Sequence, residues 1–95
     1  MFFYNLTIIT EPSIAKPVID RLLKIQVLSP KRFELLQLLD SPHEGTTYSL
    51  QFKAVDDTEL GDFKTNISEA IQHALGQDFP NGKAVFFESV MQYIS

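Results

Sequence analysis

The sequence predicts an α+β domain with the element order β-α-β-β-α-β. Three observations carry that prediction. Residues 46–54 alternate, with Thr46, Tyr48, Leu50 and Phe52 on one side and Thr47, Ser49, Gln51 and Lys53 on the other, which is the period of a half-buried strand. Leu60, Phe63, Ile67, Ala70, Ile71, Ala74 and Leu75 recur at helical spacing. Aromatic and β-branched runs stand near both ends of the chain, at residues 2–9 and 84–94.

Taken in order, residues 2–9 form a strand with Phe2, Tyr4, Leu6 and Ile8 on one face and Phe3, Asn5, Thr7 and Ile9 on the other. Thr10-Glu11-Pro12-Ser13 turns into a helix, with Ser13 the expected N-cap because its hydroxyl can accept an orphan amide hydrogen. Ile14, Val18, Arg21-Leu22 and Ile25 make the stripe of that helix, widened by Ile19 and Leu23. Pro17 is tolerated only near the helix start, so the helix begins loosely at Ser13 or in earnest near Lys16, and Ser29-Pro30 closes it.

Residues 32–39 read as a second strand, largely apolar on both faces; the leucine-rich run also suits a helix, and that alternative stays open. The loop from Asp40 to Gly45 reads as a hairpin connection into the Thr46 strand. Asp56 and Glu59 have the spacing of a capping box at the start of the second helix, and Gly76 is the expected C-terminal stop. Pro80, Asn81 and Gly82 belong to the loop before the last strand.

Right-handed crossovers reduce this order to one simple solution, a ferredoxin-like antiparallel sheet of order 4-1-3-2 with both helices on one face. Tyr4, Leu6 and Ile8 then pack under the helices with Tyr48, Leu50 and Phe52. The opposite face has Asn5, Thr7, Ser49 and Gln51 at its centre. Its rim takes one of Phe86 and Phe87, one of Val90 and Met91, and one of Leu35 and Leu36. A monomer would expose a large apolar patch there, and two sheets packed face to face in a homodimer would remove it. The polar four are the candidate ligand-binding residues, with a small molecule as a further occupant of the cavity between the sheets.

With 95 residues the chain is one domain, and a domain of that size buries roughly 60–65% of its unfolded surface. Eight Phe and three Tyr supply the bulk of its core. There is no Cys, which removes disulfides, thiolate metal sites and a cysteine nucleophile, and suits a reducing compartment. Lys and Arg number 8 against 12 Asp and Glu, a net charge of −4 without a basic run, so neither nucleic acid nor an anionic membrane is an expected partner. The N-terminus lacks the basic region of a signal peptide, and no apolar stretch approaches the ~20 residues of a membrane helix. A soluble, cytoplasmic protein is the expectation.

The chemistry-bearing motifs are sparse. Met1-Phe2-Phe3-Tyr4-Asn5-Leu6 resembles the first strand of an RNA-recognition motif, but the third strand lacks the basic lead residue and internal glycine that let bases stack on exposed rings. His43 is a loop histidine beside Glu44, and His73 flanks the stripe of the second helix; two histidines and scattered acids make no metal site. Capping explains Asp56 and Asp57 better than cation binding with Asp62 does. No serine stands in a nucleophile elbow and no glycine-rich loop could cradle phosphate. Asn5-Leu6-Thr7 and Asn66-Ile67-Ser68 match the glycosylation tripeptide within a strand and a helix.

Tyr4-Asn5-x-Thr7, Gly45-x-Thr47-Tyr48-Ser49-x-Gln51-Phe52 and the run Lys83 to Met91 together resemble a bacterial family of domains of unknown function, about one hundred residues long, the size of a single domain. The resemblance implies a ferredoxin-like fold of the dimeric α/β-barrel type and carries no catalytic residues. Family members carry tryptophan and a His-Ile-Pro-like segment in the first helix region, where this chain reads Val27-Leu28-Ser29-Pro30. The favoured function is a non-catalytic homodimeric interaction or small-ligand-binding module without cofactor or metal. The alternative is a cofactor-free, monooxygenase-like enzyme, for which Asn5, Tyr4 and Tyr48 are the available groups.

Overall fold

The computed structural model describes residues 1–40, 42 and 44–95. His43 lies outside the described residues. Strand β1 (Phe2–Thr10) leads through a 3-10 turn (Pro12–Ile14) into helix α1 (Ala15–Leu28). Strands β2 (Glu34–Gln37) and β3 (Thr46–Ala54) form a hairpin. Helix α2 (Asp57–Phe63), a π-helical turn (Lys64–Ser68) and helix α3 (Glu69–Asp78) then run on to strand β4 (Ala84–Gln92). The sheet order is β2-β3-β1-β4 and every pairing is antiparallel, as expected. Residues 32–39 contribute a strand and not a helix.

Register decides which side chains share a face. Tyr4 stands opposite Phe52 and Val90, Leu6 opposite Leu50 and Glu88, and Ile8 opposite Tyr48 and Phe86. Tyr4, Leu6, Ile8, Tyr48, Leu50 and Phe52 lie under the helices, where Val18 and Leu22 of α1 and Ile71 and Leu75 of α3 complete the core. Phe63 is its hub. Its ring stacks on Phe52 at 4.0 Å between centroids and meets Tyr4 and Phe33 edge-on at 5.6 Å and 6.0 Å.

The local chemistry departs from expectation in five places. Ser13 makes no cap: the chain enters α1 through the 3-10 turn, with Ile14 at the N-cap position and Pro17 in the first turn, where a missing N–H costs little. β2 is shorter than expected, because Gln26 Nε2 donates to the Phe33 carbonyl at 2.8 Å before the ladder starts and Asp40 turns left-handed after it. The acidic cap of α2 is offset. Asp56 accepts from the Glu59 amide at 2.9 Å, but the Glu59 carboxylate reaches past the N-cap amide to that of Val55, at 3.0 Å. Gly76 lies inside α3, which runs two residues further and is stopped by Pro80, Asn81 and Gly82, the last two at φ of 67° and 72°. β4 ends at Gln92, short of Ile94.

The π-helical turn has a reason in the apolar spacing. Phe63, Ile67, Ile71 and Leu75 follow one another at intervals of four, and in an α-helix each such step drifts about 40° around the axis. One wide turn takes up an extra residue and brings the stripe back over the sheet. The adjustment buries Ser68 and leaves Ala70 exposed, the reverse of what the simple helical period gives.

Candidate functional site

The open face of the sheet is built from the odd-numbered residues of β1 and their partners. Asn5 stands between Gln51 and Ser89, and Thr7 between Ser49 and Phe87. A continuous hydrogen-bonded chain joins the four candidate residues. Gln51 Nε2 donates to Ser49 Oγ at 3.1 Å, Ser49 Oγ donates to Asn5 Oδ1, and Asn5 Nδ2 donates to Thr7 Oγ1 at 2.9 Å. Thr7 accepts in that chain, so its own hydroxyl hydrogen has no partner among the described residues, and the side-chain amide oxygen of Gln51, Oε1, accepts from none of them.

Around this polar centre lies an apolar rim. Register puts Leu36, Val85, Phe87 and Met91 on the open face, and their exposures run from 39% for Val85 to 59% for Phe87. Phe86 faces the helices. Phe3, Met91, Gln92 and Tyr93 line a shallow hollow of about 220 Å³ at one end of the face, and Lys53 Nζ sits 5.1 Å from the centre of the Tyr93 ring.

The two candidate tyrosines lie on the other side of the sheet. Tyr48 Oη donates to the Ala15 carbonyl at 3.2 Å, and burial pushes its pKa up. Tyr4 is wholly buried, with its hydroxyl bonded to Ser68 Oγ. Gln72 Nε2 donates both to Ser68 Oγ at 3.2 Å and to Glu88 Oε1 at 2.8 Å, which carries the network from the core to the surface. Burial is the main cause that pushes the Tyr4 pKa up to about 12; the Ser68 hydrogen bond opposes it and Glu88 adds to it. Sequence reading missed Ser68, Gln72 and Glu88 as a group. The signal was the run of four-residue intervals, which a straight α-helix cannot keep on one face. His73 is exposed, and no cluster of metal-ligating side chains occurs among the described residues.

Residues 1–94 match the family model of a domain of unknown function, DUF4286. The chain belongs to that family. No curated protein matches it. Among solved structures, a de novo designed protein, Foldit4, is similar at a TM-score of 0.67 and 10% identity, with 97% of each chain covered. A dabb family protein with a ferredoxin-like fold from Mesorhizobium loti is similar at a TM-score of 0.58 and 13% identity, with all of both chains covered. These likenesses establish the ferredoxin-like fold and nothing further. One of the neighbours was designed from nothing, so this architecture by itself implies no activity. No described helix is long and apolar enough to cross a membrane.

Proposed function

We propose that this member of the DUF4286 family is a non-catalytic interaction module that forms a homodimer through the open sheet face. One observation carries the reading: Leu36, Val85, Phe87 and Met91 are exposed around a hydrogen-bonded polar centre. Exposed apolar side chains gathered on one face of a small protein mark a binding surface. The unused Thr7 hydroxyl hydrogen and Gln51 carbonyl oxygen supply a donor and an acceptor for bonds across the interface, or for a small molecule held between the sheets. A cytoplasmic, bacterial setting belongs to the same reading, and the absence of cysteine suits it.

The enzyme alternative draws no support from the tyrosines, whose hydroxyls are held by Ser68 and by the Ala15 carbonyl under the helices. Sedimentation velocity at micromolar concentration tests the proposal. A dimer is expected, and a clean monomer would overturn it. Native mass spectrometry of the protein as purified tests the ligand arm. An Asn5→Leu, Gln51→Leu double variant should remain dimeric and lose any retained molecule.

A further inference from the structure

The outer edge of β4 presents backbone groups that the described chain leaves unpaired. β4 is the last strand in the sheet order, so only its β1 side is bonded. The bonds at the two ends of that pairing fix its phase. The Tyr93 amide donates to the Met1 carbonyl and the Glu11 amide to the Lys83 carbonyl, each at 3.0 Å. Both pairs continue the register that sets Phe2 against Gln92 and Thr10 against Ala84. Directly bonded pairs recur at every second residue of an antiparallel ladder. The odd-numbered residues of β4 therefore turn their N–H and C=O groups toward β1. Ala84, Phe86, Glu88, Val90 and Gln92 turn theirs outward, where they have no backbone partner among the described residues.

Edge strands of natural proteins are blunted by proline, by lysine, by bulges or by shortness. The opposite edge, β2, has four residues. β4 has nine in unbroken register, with no proline, glycine or lysine among them. An edge of this kind is a template for another strand.

The side chains of β4 select the strand that fits. On the open-face side Val85, Phe87 and Met91 are exposed. On the helical side Glu88 takes one bond, from Gln72 Nε2 to Oε1, and no cation pairs with it among the described residues. The cations placed beside β4 stand at its ends, Lys83 before Ala84 and Lys53 over the Tyr93 ring. The middle of the edge is thus apolar on one side and acidic on the other. A second copy of β4 complements it poorly. Pairing two of these strands over their whole length is centred on residue 88 and opposes the two Glu88 side chains, and like charges directly opposite destabilise a ladder. Chains of net charge −4 also repel one another at long range.

We infer that β4 is a docking edge for an extended segment of a partner protein, added antiparallel, with apolar residues at alternate positions and lysine or arginine between them. Main-chain bonds to Phe86, Glu88 and Val90 hold the segment. Its apolar residues lie beside Phe87 and Met91, and a basic residue stands opposite Glu88. Face-to-face packing of two sheets leaves these outward groups free, so the inference does not rest on the dimer and survives its failure.

The test uses a synthetic peptide of the length of β4 with valine at alternate positions and lysine between them. A second peptide has glutamate in place of each lysine, and a third keeps the lysines but has proline in place of two valines. Binding is read by anisotropy, and amide hydrogen exchange of the whole protein is followed by NMR. The lysine–valine peptide should bind and slow exchange at Phe86, Glu88 and Val90 about tenfold or more, while Phe87 and Ser89, already bonded to β1, change little. The two control peptides should bind about tenfold more weakly or worse. Val90→Pro removes an outward N–H, a position at which an edge strand accepts proline, and should abolish binding with a near-native melting temperature. Should that variant fail to fold, Glu88→Lys decides, and it should favour the glutamate peptide. A lysine–valine peptide that binds no better than either control, or that binds folded Val90→Pro undiminished, would overturn the inference. So would binding without slowed exchange at the outward amides, which would put the peptide on the open face. Concentration-dependent protection of those amides without peptide would mean that β4 pairs with its own copy, and would overturn it too.

Discussion

The hydroxyl of Tyr4 is held in its neutral form, because the phenolate would lie in a core that offers it little solvation. Its folded pKa of about 12 stands above the ordinary value of 10.0 for the unfolded chain. A raised folded pKa favours the protonated group, so its contribution is complete below pH 10 and is lost as pH rises through about 12. The expected outcome is a melting temperature that falls more steeply over that window for the native protein than for Tyr4→Phe; Tyr48, shifted the same way, leaves a residual slope in both. Two glycines give a contrast at the same scale. A Cβ on Gly76 meets nothing within 4 Å, and Gly76→Ala should stabilise by about 0.5–1 kcal/mol by improving helix propensity. A Cβ on Gly45 would stand 2.0 Å from the Thr10 carbonyl oxygen at a φ of +92°, and Gly45→Ala should cost at least about 1–3 kcal/mol from backbone strain. Urea melts of the two variants should move in opposite directions.

Among the elements, β3 decides the most, because its two faces do different work. Phe52 stacks on Phe63 beneath the helices, whereas Gln51 joins the polar row on the open face. Phe52→Ala should destabilise by roughly 3–5 kcal/mol, the cost of losing a buried ring and leaving a cavity. Gln51→Ala should cost far less in a monomeric background. Equal losses in denaturant melts would contradict the register. The helical segment after β3 shows how packing overrides local period. Its apolar residues were chosen for a path over the sheet, and the backbone widens by one turn at residues 64–68 to follow that path. The same widening brings Ser68 to the Tyr4 hydroxyl, so one backbone adjustment serves both the apolar stripe and a buried polar group that would otherwise be unpaired.

For the whole molecule, the fold separates two surfaces. The sheet face is apolar at its rim and polar at its centre, while the groove between the helices is mostly apolar, lined by Ile25, Leu28, Ala70 and Ala74. Phe87 is 59% exposed and stands beside the polar row, so a charge there should block face-to-face packing and leave the core intact. Phe87→Asp is expected to sediment as a monomer with a near-native melting profile for the protomer. If the native protein dimerises and this variant does too, the interface lies elsewhere on the molecule. β4 would be the next surface to examine, since it is a nine-residue edge strand with only Glu88 as a charged guard along it.

The alternation of residues 46–54 alone assigned Tyr48, Leu50 and Phe52 to the core and Ser49 and Gln51 to the other face. The element order and the rule of right-handed crossovers then brought Asn5 and Thr7 beside them. Strand periodicity is rigid enough for such inference, since a slip of one residue would turn every apolar side chain outward. Capping was legible in part: Asp56 caps α2 as its type and position imply, but Ser13 does not cap α1, because Pro12 and Pro17 steer the chain into a 3-10 turn first. Three outcomes depended on contacts between distant segments and could not be read locally. Phe86 and Phe87 are adjacent and chemically alike, and only the pairing of β4 with β1 sends Phe86 inward. Ser68 is a small polar residue in a helical run, buried because a hydroxyl from residue 4 waits for it. Leu28 lies near Ile25 on the apolar side of α1 and yet stays 83% exposed, because the side chains that face it across the groove include only the small Ala70 and Ala74 at its rim. Local sequence determines the direction in which a side chain points along its own element; the tertiary structure decides whether anything stands there to meet it.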